Sequence, residues 1–229
     1  MIKIAICNVK ELEVEKAIPQ VSSKRQDKIR MYHFIKDKKL SCGAELLLNE
    51  MLFEENITDP KYSEDYYHKP YIKNNDIEFN LSHSKEMVAC AISDKTVGID
   101  IEYVEKDIDL NIAKQYFYDK EYENIIQSEN KADEFFKYWV LKESFMKYTS
   151  LGFNLELNEF NIDIKDEDIN VILKNKKKTL SQIRNNKNRT ISLDNLYLNF
   201  FEFKDYKLAI TSQEEVSKFR IYDVKELIH

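Results

Sequence analysis

Glycine, proline and cysteine are scarce in this sequence, with three of each among 229 residues. The three glycines, Gly43, Gly98 and Gly152, are too few and too far apart for the glycine-rich loops with which Rossmann and P-loop proteins hold phosphates. A nucleotide phosphate bound by this chain must therefore be held by side chains. Each glycine is expected to mark a place where the backbone geometry matters.

The cysteines, Cys7, Cys42 and Cys90, are odd in number and widely separated, and no C-x-x-C pair occurs. This spacing argues against a disulfide framework or a zinc site and fits a reducing cytoplasm. We predict that all three are small, buried hydrophobic side chains.

Long apolar runs are also missing. No run approaches the roughly 18 residues of a membrane span, and the apolar start at 1–7 is too short for a signal peptide. The composition, 43% hydrophobic and 33% charged, is typical of a soluble globular protein. A net charge of −6 and a pI near 5.4 argue against coating nucleic acid, which needs a basic surface. We therefore expect neither a membrane nor a nucleic acid as partner, although a local basic pocket for a phosphorylated small molecule is compatible with these totals.

An acidic strand is the most informative feature that is present. Residues 97–103, V-G-I-D-I-E-Y, alternate as a β-strand does. Asp100 and Glu102 then project from one face, roughly 7 Å apart along the strand. Two interpretations follow: an edge strand whose wet acidic face blocks aggregation, or a site for a hard divalent cation such as Mg²⁺.

A third carboxylate lies on a predicted helix over 133–148. Glu143 follows Trp139 by one turn on the apolar stripe of this helix, and a carboxylate buried there needs a cation. Lys147 is within i,i+4 reach. Either Glu143 and Lys147 form an ion pair that covers the stripe, or Glu143 shares a metal ion with Asp100 and Glu102.

The remaining patterns predict an α+β fold in which each half runs from a strand through a long helix to further strands. Helices are predicted at 24–54, 107–117, 118–127 and 133–148, and strands at 2–8, 77–82, 87–92, 97–103, 160–164, 169–173, 191–203 and 206–212. The strands from 77 to 103 are expected to form an antiparallel meander. We predict a loop at 55–76, a basic hairpin tip at 174–189, and a tail at 219–228 that docks as a strand or a turn of helix.

Two further stretches carry groups that suit an anion. Basic residues crowd the helix from 24 to 39, either as a solvated face or as phosphate ligands. In Ser82-His83-Ser84, neighbouring side chains of a strand face opposite ways, so Ser82 and His83 do not form a nucleophile–base pair, and no G-x-S-x-G elbow occurs. Donation of hydrogen bonds to an anion is the better use of these residues, and a histidine satisfied within a turn is the alternative.

Three separated motifs then coincide: G-I-D-I-E at 98–102, W-V-L-K-E-S-F-M-K at 139–147, and K-P-Y with N-L-S-H-S between 69 and 84. Together they resemble the 4′-phosphopantetheinyl transferase superfamily, in particular its long, monomeric, surfactin-synthetase-activating (Sfp-type) branch, from about 20 to 153. The resemblance implies a pseudo-dimer of two similar α+β halves, each a small, mostly antiparallel sheet packed on a long helix, with the active site in the cleft between them. We draw the halves at 1–96 and 97–229.

The resemblance also implies roles for individual residues. The implied ligands of Mg²⁺ are Asp100, Glu102 and Glu143. Coenzyme A is expected to contact Lys39, Lys69, Pro70, Ser82, His83 and Lys142. The implied catalytic residues are Glu143, Lys147 and Glu121, and the general base stays open between Glu143, Glu121 and a metal-bound water.

The sequence departs from the family pattern at three places. His68 stands where the family has a glycine before K-P, and Lys39 stands for an arginine, which keeps the charge but loses bidentate recognition. Ser150-Leu151-Gly152 replaces a G-x-G. None of these changes removes a group that the chemistry needs.

The expected activity is Mg²⁺-dependent transfer of 4′-phosphopantetheine from coenzyme A to a serine of an apo acyl, peptidyl or aryl carrier protein, with release of adenosine 3′,5′-bisphosphate. The expected protein is a cytoplasmic monomer. Two alternatives use the same residues: a metal-dependent phosphoesterase or nuclease with water as nucleophile, and a non-enzymatic adaptor that binds coenzyme A.

Overall fold

The computed structural model describes residues 1–166, 168–186 and 191–228, and it confirms a mixed α+β fold. The strands are β1 (Ile2–Asn8), β2 (Tyr62–Glu64), β3 (Pro70–Ile72), β4 (Glu78–Ser84), β5 (Met87–Ser93), β6 (Gly98–Tyr103), β7 (Phe160–Lys165), β8 (Asp168–Leu173), β9 (Tyr197–Phe203), β10 (Tyr206–Ser212) and β11 (Arg220–Tyr222). The α-helices are α1 (Val14–Ala17), α2 (Ser23–Arg30), α3 (Ile35–Glu54), α4 (Asn111–Tyr116), α5 (Asp119–Gln127), α6 (Lys131–Thr149) and α7 (Lys176–Arg184).

The first sheet has the order β11-β1-β5-β4, and α3 packs against β5. Leu47 and Leu48 of α3 are buried in one cluster with Val88 and Cys90 of β5. Because burial of apolar surface is the main favourable term in folding, this helix–sheet contact forms the core of the N-terminal half.

The second sheet has the order β6-β10-β9, all antiparallel, and α6 packs on β6 and β10. The predicted meander is therefore only partly right: β4 and β5 pair as a hairpin, but β6 pairs with β10 instead of β5. Strands β4 and β6 are connected by side-chain hydrogen bonds and not by a ladder of backbone hydrogen bonds. The Asn80 side-chain oxygen, for example, accepts a hydrogen bond from the Ile99 backbone N–H at 2.8 Å.

Three predicted elements differ from the observed ones. The helix predicted over 24–54 is two helices, because none of the residues 31–34 is buried and no packing holds the helix together there. The loop at 55–76 contains the short strands β2 and β3. The strand predicted from residue 191 begins only at Tyr197.

The basic stretch predicted as a hairpin tip contains helix α7. The Asn175 side chain caps it by accepting a hydrogen bond from the Lys178 N–H, and Thr179 and Ile183 bury one face at i,i+4 spacing. The many basic residues of this stretch made its short apolar face difficult to recognise from the sequence. Residues 187–189 of the predicted tip lie outside the described residues.

The tail docks as predicted, as strand β11 followed by a 3₁₀ turn over Val224–Leu227. It joins the first sheet, where β11 runs parallel to β1, and Tyr222 and Leu227 enter the core around α3. By packing, the tail therefore belongs with the N-terminal half rather than with the 97–229 half in which the sequence division placed it.

The predicted burial of Cys7, Cys42 and Cys90 is confirmed, and all three are free thiols. Burial raises the pKa of Cys7 to about 12 and that of Cys42 to about 11, so these thiols stay protonated and unreactive at neutral pH. Within the described residues, no helix combines the length and apolar character needed to cross a membrane.

Gly98 sets the distance between β6 and α6. A Cβ atom built on Gly98 would lie 2.0 Å from the Ser144 backbone oxygen and 2.5 Å from the Tyr148 backbone nitrogen. Only a residue without a side chain allows this approach, which brings the acidic strand against the helix that carries Glu143 and Lys147.

Gly98→Ala is therefore expected to lower the free energy of unfolding by about 3 kcal/mol or more, because two backbones must move apart. Gly152→Ala is the matched control: Gly152 has φ +50° but open space around it, so only left-handed strain of about 1 kcal/mol is expected. Urea unfolding of both variants measures the difference. Equal losses would contradict the close approach.

Candidate active site

Asp100 is the centre of the candidate site. Its side chain projects from β6 and is buried, with 2% of the residue exposed. Asp100 Oδ1 accepts hydrogen bonds from Lys147 Nζ at 2.6 Å and from Ser82 Oγ at 2.8 Å, and Lys147 Nζ also lies 3.0 Å from Ser82 Oγ. Three elements, β4, β6 and α6, therefore meet at one carboxylate. This burial excludes a wet edge strand, and Lys147 pairs with Asp100 rather than with Glu143.

The other two carboxylates lie close enough to Asp100 to be affected by its charge. Burial and the Asp100 carboxylate raise the pKa of Glu102 to about 7, although Ser84 Oγ donates a hydrogen bond to Glu102 at 2.6 Å. Burial and the same carboxylate also raise the pKa of Glu143. Three acids thus share one poorly solvated region with a single ammonium group, that of Lys147, in contact with Asp100.

The donor set suits a hard cation. Asp100 Oδ2 is buried and accepts no hydrogen bond from any residue that the structure describes, although such an atom normally has a partner. Carboxylate oxygens are the ligands that Mg²⁺ takes in proteins. In the described part of the chain no three acidic, histidine or cysteine side chains already form a ligand cluster. The three acids thus supply donors of the type that a cation takes, but their side chains are not drawn together into a ligand cluster in this structure, and Lys147 neutralises Asp100.

A basic pocket of about 270 Å³ lies on the N-terminal side of this region. Its lining combines three cations and a histidine with two carboxylates and with apolar side chains, and it includes Lys24, Arg25, Lys28, Glu45, Glu64, His68, Pro70, Phe79 and Leu81. Arg25 is oriented by the buried Glu45, whose Oε2 accepts from Arg25 Nε at 2.8 Å. The sequence had left open whether this basic run was a solvated face, and the structure places three of its members around a cavity.

His83 continues the alternate set of β4 residues, Phe79 and Leu81, that line this pocket. Partial desolvation and then the Lys147 ammonium lower the pKa of His83, with smaller contributions from Lys28 and Arg25. His83 itself keeps an exposed surface. Positive charges from both halves therefore act on this ring, which favours an anion beside it.

Lys69 connects the two halves. Its Nζ donates hydrogen bonds to the Val97 carbonyl at 2.8 Å and to the Lys147 carbonyl at 2.7 Å, and the residue is 8% exposed. The ammonium group therefore fixes the loop before Pro70 to the start of β6 and the end of α6. Pro70, by contrast, faces the basic pocket.

Lys142 and Glu121 lie away from the open site. The Lys142 ammonium is 2.8 Å from a Glu121 carboxylate oxygen, and both side chains are fully buried. Lys142 Nζ also donates to the Leu157 and Phe160 carbonyls at 2.8 Å, and Glu121 accepts from the Ile162 N–H at 2.7 Å. The structure therefore places Lys142, which the sequence expected beside phosphate groups, in the core and apart from Lys147 and Asp100.

Lys39 lies in a different cavity, of about 170 Å³, beside Lys36 and Lys85, and its Nζ donates to the Lys10 carbonyl. The structure does not bring it to Pro70. A larger cavity of about 670 Å³ is lined mainly by apolar residues around Phe53 and Ile57 and contains none of the predicted site residues.

Sequence reasoning did not single out Ser84 or Glu45, which orient Glu102 and Arg25. The alternate spacing of Ser82 and Ser84 on one strand matches that of Asp100 and Glu102 on another. That match is the signal that would have identified Ser84.

Comparison with known proteins agrees with this geometry. Residues 96–211 match the family described as the 4′-phosphopantetheinyl transferase superfamily. The chain is 38% identical over 169 residues to the 4′-phosphopantetheinyl transferase gsp of Aneurinibacillus migulanus, covering 69% of this chain and 68% of that protein. It is 30% identical over 161 residues to the 4′-phosphopantetheinyl transferase Sfp of Bacillus subtilis (strain 168), covering 68% and 71%. The chain belongs to the 4′-phosphopantetheinyl transferase superfamily, as its motifs predicted.

The raised pKa of Glu102 predicts how stability depends on pH. Without metal, the unfolded chain loses this proton near pH 4.5 and the folded protein only near pH 7, so the free energy of unfolding falls as pH rises through that window. Glu102→Gln removes the titration. At pH 8 the metal-free variant should be more stable than the parent by about 3 kcal/mol.

Urea unfolding in EDTA at pH 5 and pH 8 measures this effect. Glu105→Gln is the matched control, because Glu105 is an exposed carboxylate on the same segment, paired with Lys85. Parallel pH profiles for the parent and Glu102→Gln would show that burial does not perturb Glu102.

Proposed function

We propose that this chain is a 4′-phosphopantetheinyl transferase that moves the phosphopantetheine group of coenzyme A onto a serine of an apo carrier protein and releases adenosine 3′,5′-bisphosphate. The observation that carries the proposal is the contact of Lys147 with the buried Asp100, whose charge also acts on Glu102 and Glu143, in a chain of this superfamily. The implied architecture is a pseudo-dimer whose halves, divided near residues 96 and 97, meet at this cleft.

Coenzyme A is expected to lie across the two halves. Its nucleotide end fits the basic pocket, with Pro70 at the adenine and Arg25 and Lys28 at the phosphates. His83 stands between the pocket and the carboxylates, where its ring is suited to donate a hydrogen bond to a phosphate. Ser82 donates its hydroxyl proton to Asp100, so in this arrangement it orients that carboxylate. The diphosphate then reaches Lys147, whose side chain is 27% exposed.

Asp100, Glu102 and Glu143 would hold Mg²⁺, which supplies charge neutralisation and orientation for the diphosphate. The chain's own residues then need to position the reactants and manage a proton, because phosphoryl-type transfer requires little covalent help. Lys147 stabilises the charge that develops on the leaving oxygen. Glu143 is the favoured acceptor of the serine proton over Glu121, because Glu121 is locked in a buried ion pair.

The acceptor is an acyl, peptidyl or aryl carrier protein, and we propose that the enzyme acts as a cytoplasmic monomer. Three buried, free cysteines support a reducing compartment. A metal-dependent phosphoesterase with the same carboxylates is the second candidate, since water can replace the serine hydroxyl as nucleophile.

A mass assay with coenzyme A, Mg²⁺ and an apo carrier protein tests the proposal. A gain of one phosphopantetheine on the carrier is expected. Asp100→Asn and Glu143→Gln should each lower kcat/KM by about 100-fold or more, because each removes a carboxylate that would hold the cation against the diphosphate. Glu105→Gln, which removes an exposed carboxylate, should retain activity.

Hydrolysis of coenzyme A without modification of any carrier would favour the phosphoesterase. Binding of coenzyme A by the parent without any turnover would favour an adaptor. Full activity of Asp100→Asn would remove Asp100 from the proposed mechanism.

A further inference from the structure

The loop that leads into Pro70 is built on a buried aspartate. Asp65 is 5% exposed, and its Oδ1 accepts hydrogen bonds from the Tyr67 and Lys69 backbone N–H groups, both at 2.9 Å. The backbone closes the same turn, because the Asp65 N–H donates to the Lys69 carbonyl at 2.9 Å, and His68 adopts φ +65°. Asp65 thus fixes the shape of residues 65–69.

The orientation of this loop is fixed from the other half of the chain. Asn186, just beyond α7, is 1% exposed. Its Nδ2 donates to Asp65 Oδ2 at 2.8 Å, and its Oδ1 accepts from the Tyr66 backbone N–H at 3.4 Å. One amide side chain therefore satisfies a donor and an acceptor of the same loop, 120 residues away.

Helix α7 makes a second contact with the loop and is itself attached to the rest of the C-terminal half. The Tyr67 hydroxyl donates to the Gln182 carbonyl at 3.1 Å, and the Gln182 side chain donates to the Asn154 carbonyl at 3.1 Å. Ile183 is buried in the core around α6. The loop is consequently held at two points by a helix that is itself anchored to the body of the C-terminal half.

Lys69 holds the other side of the loop, through the Val97 and Lys147 carbonyls. The segment before Pro70 is thus fixed between α7 on one side and the start of β6 and the end of α6 on the other. Every one of these contacts comes from the C-terminal half, whereas the pocket that Pro70 lines is built by the N-terminal half.

We propose that Asn186 is a positioning residue which, through Asp65, sets the place of Pro70 in the coenzyme A pocket. The inference rests on the proposed function. It assigns to the segment at the end of α7 a role in binding the nucleotide end of the substrate, remote from the reacting phosphate. Loss of the contact should therefore weaken coenzyme A binding and leave the transfer step intact.

Asn186→Asp is the sharpest test, because it places a second carboxylate against the buried Asp65. The KM and the calorimetric Kd for coenzyme A should rise about tenfold or more, the effect of losing a buried hydrogen bond. The kcat and the KM for the carrier protein should stay near the parental values. Asn185→Asp is the matched control, since Asn185 is the exposed neighbour and receives the same charge.

The exchange Asp65→Asn with Asn186→Asp restores one amide facing one carboxylate and should recover most of the affinity. Asn186→Ala, which adds no charge, should shift the KM for coenzyme A in the same direction. If Asn186→Asp does not fold, Asn186→Ala replaces it in the test.

Unchanged KM and Kd for coenzyme A in Asn186→Asp and Asn186→Ala, with an active parent, would overturn the inference alone. A parallel loss of kcat, carrier affinity and thermal stability, without recovery in the exchange variant, would reduce Asn186 to a structural residue and also overturn it. A parent that neither binds coenzyme A nor modifies a carrier would overturn the proposed function, and the inference with it.

Discussion

The contact between Asp100 and Lys147 is the interaction on which the rest of the site depends. A carboxylate this buried requires a partner, and the ammonium group of α6 reaches it only because Gly98 lets β6 and α6 approach at backbone distance. The same contact leaves a charge imbalance. One ammonium group contacts Asp100, and burial together with the Asp100 charge raises the pKa values of Glu102 and Glu143. The carboxylates of the site therefore outnumber the ammonium group in contact with them, and this imbalance supports the proposed cation.

Helix α6 carries two lysines, Lys142 and Lys147, that lie in different environments. Lys142 and Lys147 are five residues apart, which on an α-helix is roughly 140° of rotation. Lys142 therefore points into the core of the C-terminal half, where Glu121 and two carbonyls surround it, while Lys147 points at β6. The buried Lys142–Glu121 ion pair joins α5 to α6 and holds the core-facing side of α6 in place. Lys147, on another side of the same helix, contacts Asp100.

The sequence revealed those parts of the site that depend on local pattern. Alternation in 97–103 was enough to place Asp100 and Glu102 on one face, and the helical stripe was enough to place Glu143 and Lys147 close together. The helical pattern did not show that Lys142 is buried whereas Lys147 reaches the site, because Glu121, the partner that buries Lys142, comes from a different helix. Likewise, nothing local shows that β6 pairs with β10, or that a basic stretch turns two apolar residues inward as α7. Both features are set by tertiary contacts, which override the local secondary-structure preference of a segment.

The join between the two sheets explains why the site lies where it does. Asn80, Ser82 and Ser84 occupy alternate positions of β4 and so share one face, from which they bond to β6 at Ile99, Asp100 and Glu102. A backbone ladder between β4 and β6 would have closed this edge. Side chains of this length instead hold the strands apart, and the carboxylates occupy the space that results. The other face of β4 contributes Phe79 and Leu81 to the basic pocket. A single edge strand therefore separates the basic pocket from the carboxylates, and its two-residue repeat is the physical reason that one segment of the chain contributes side chains to both regions.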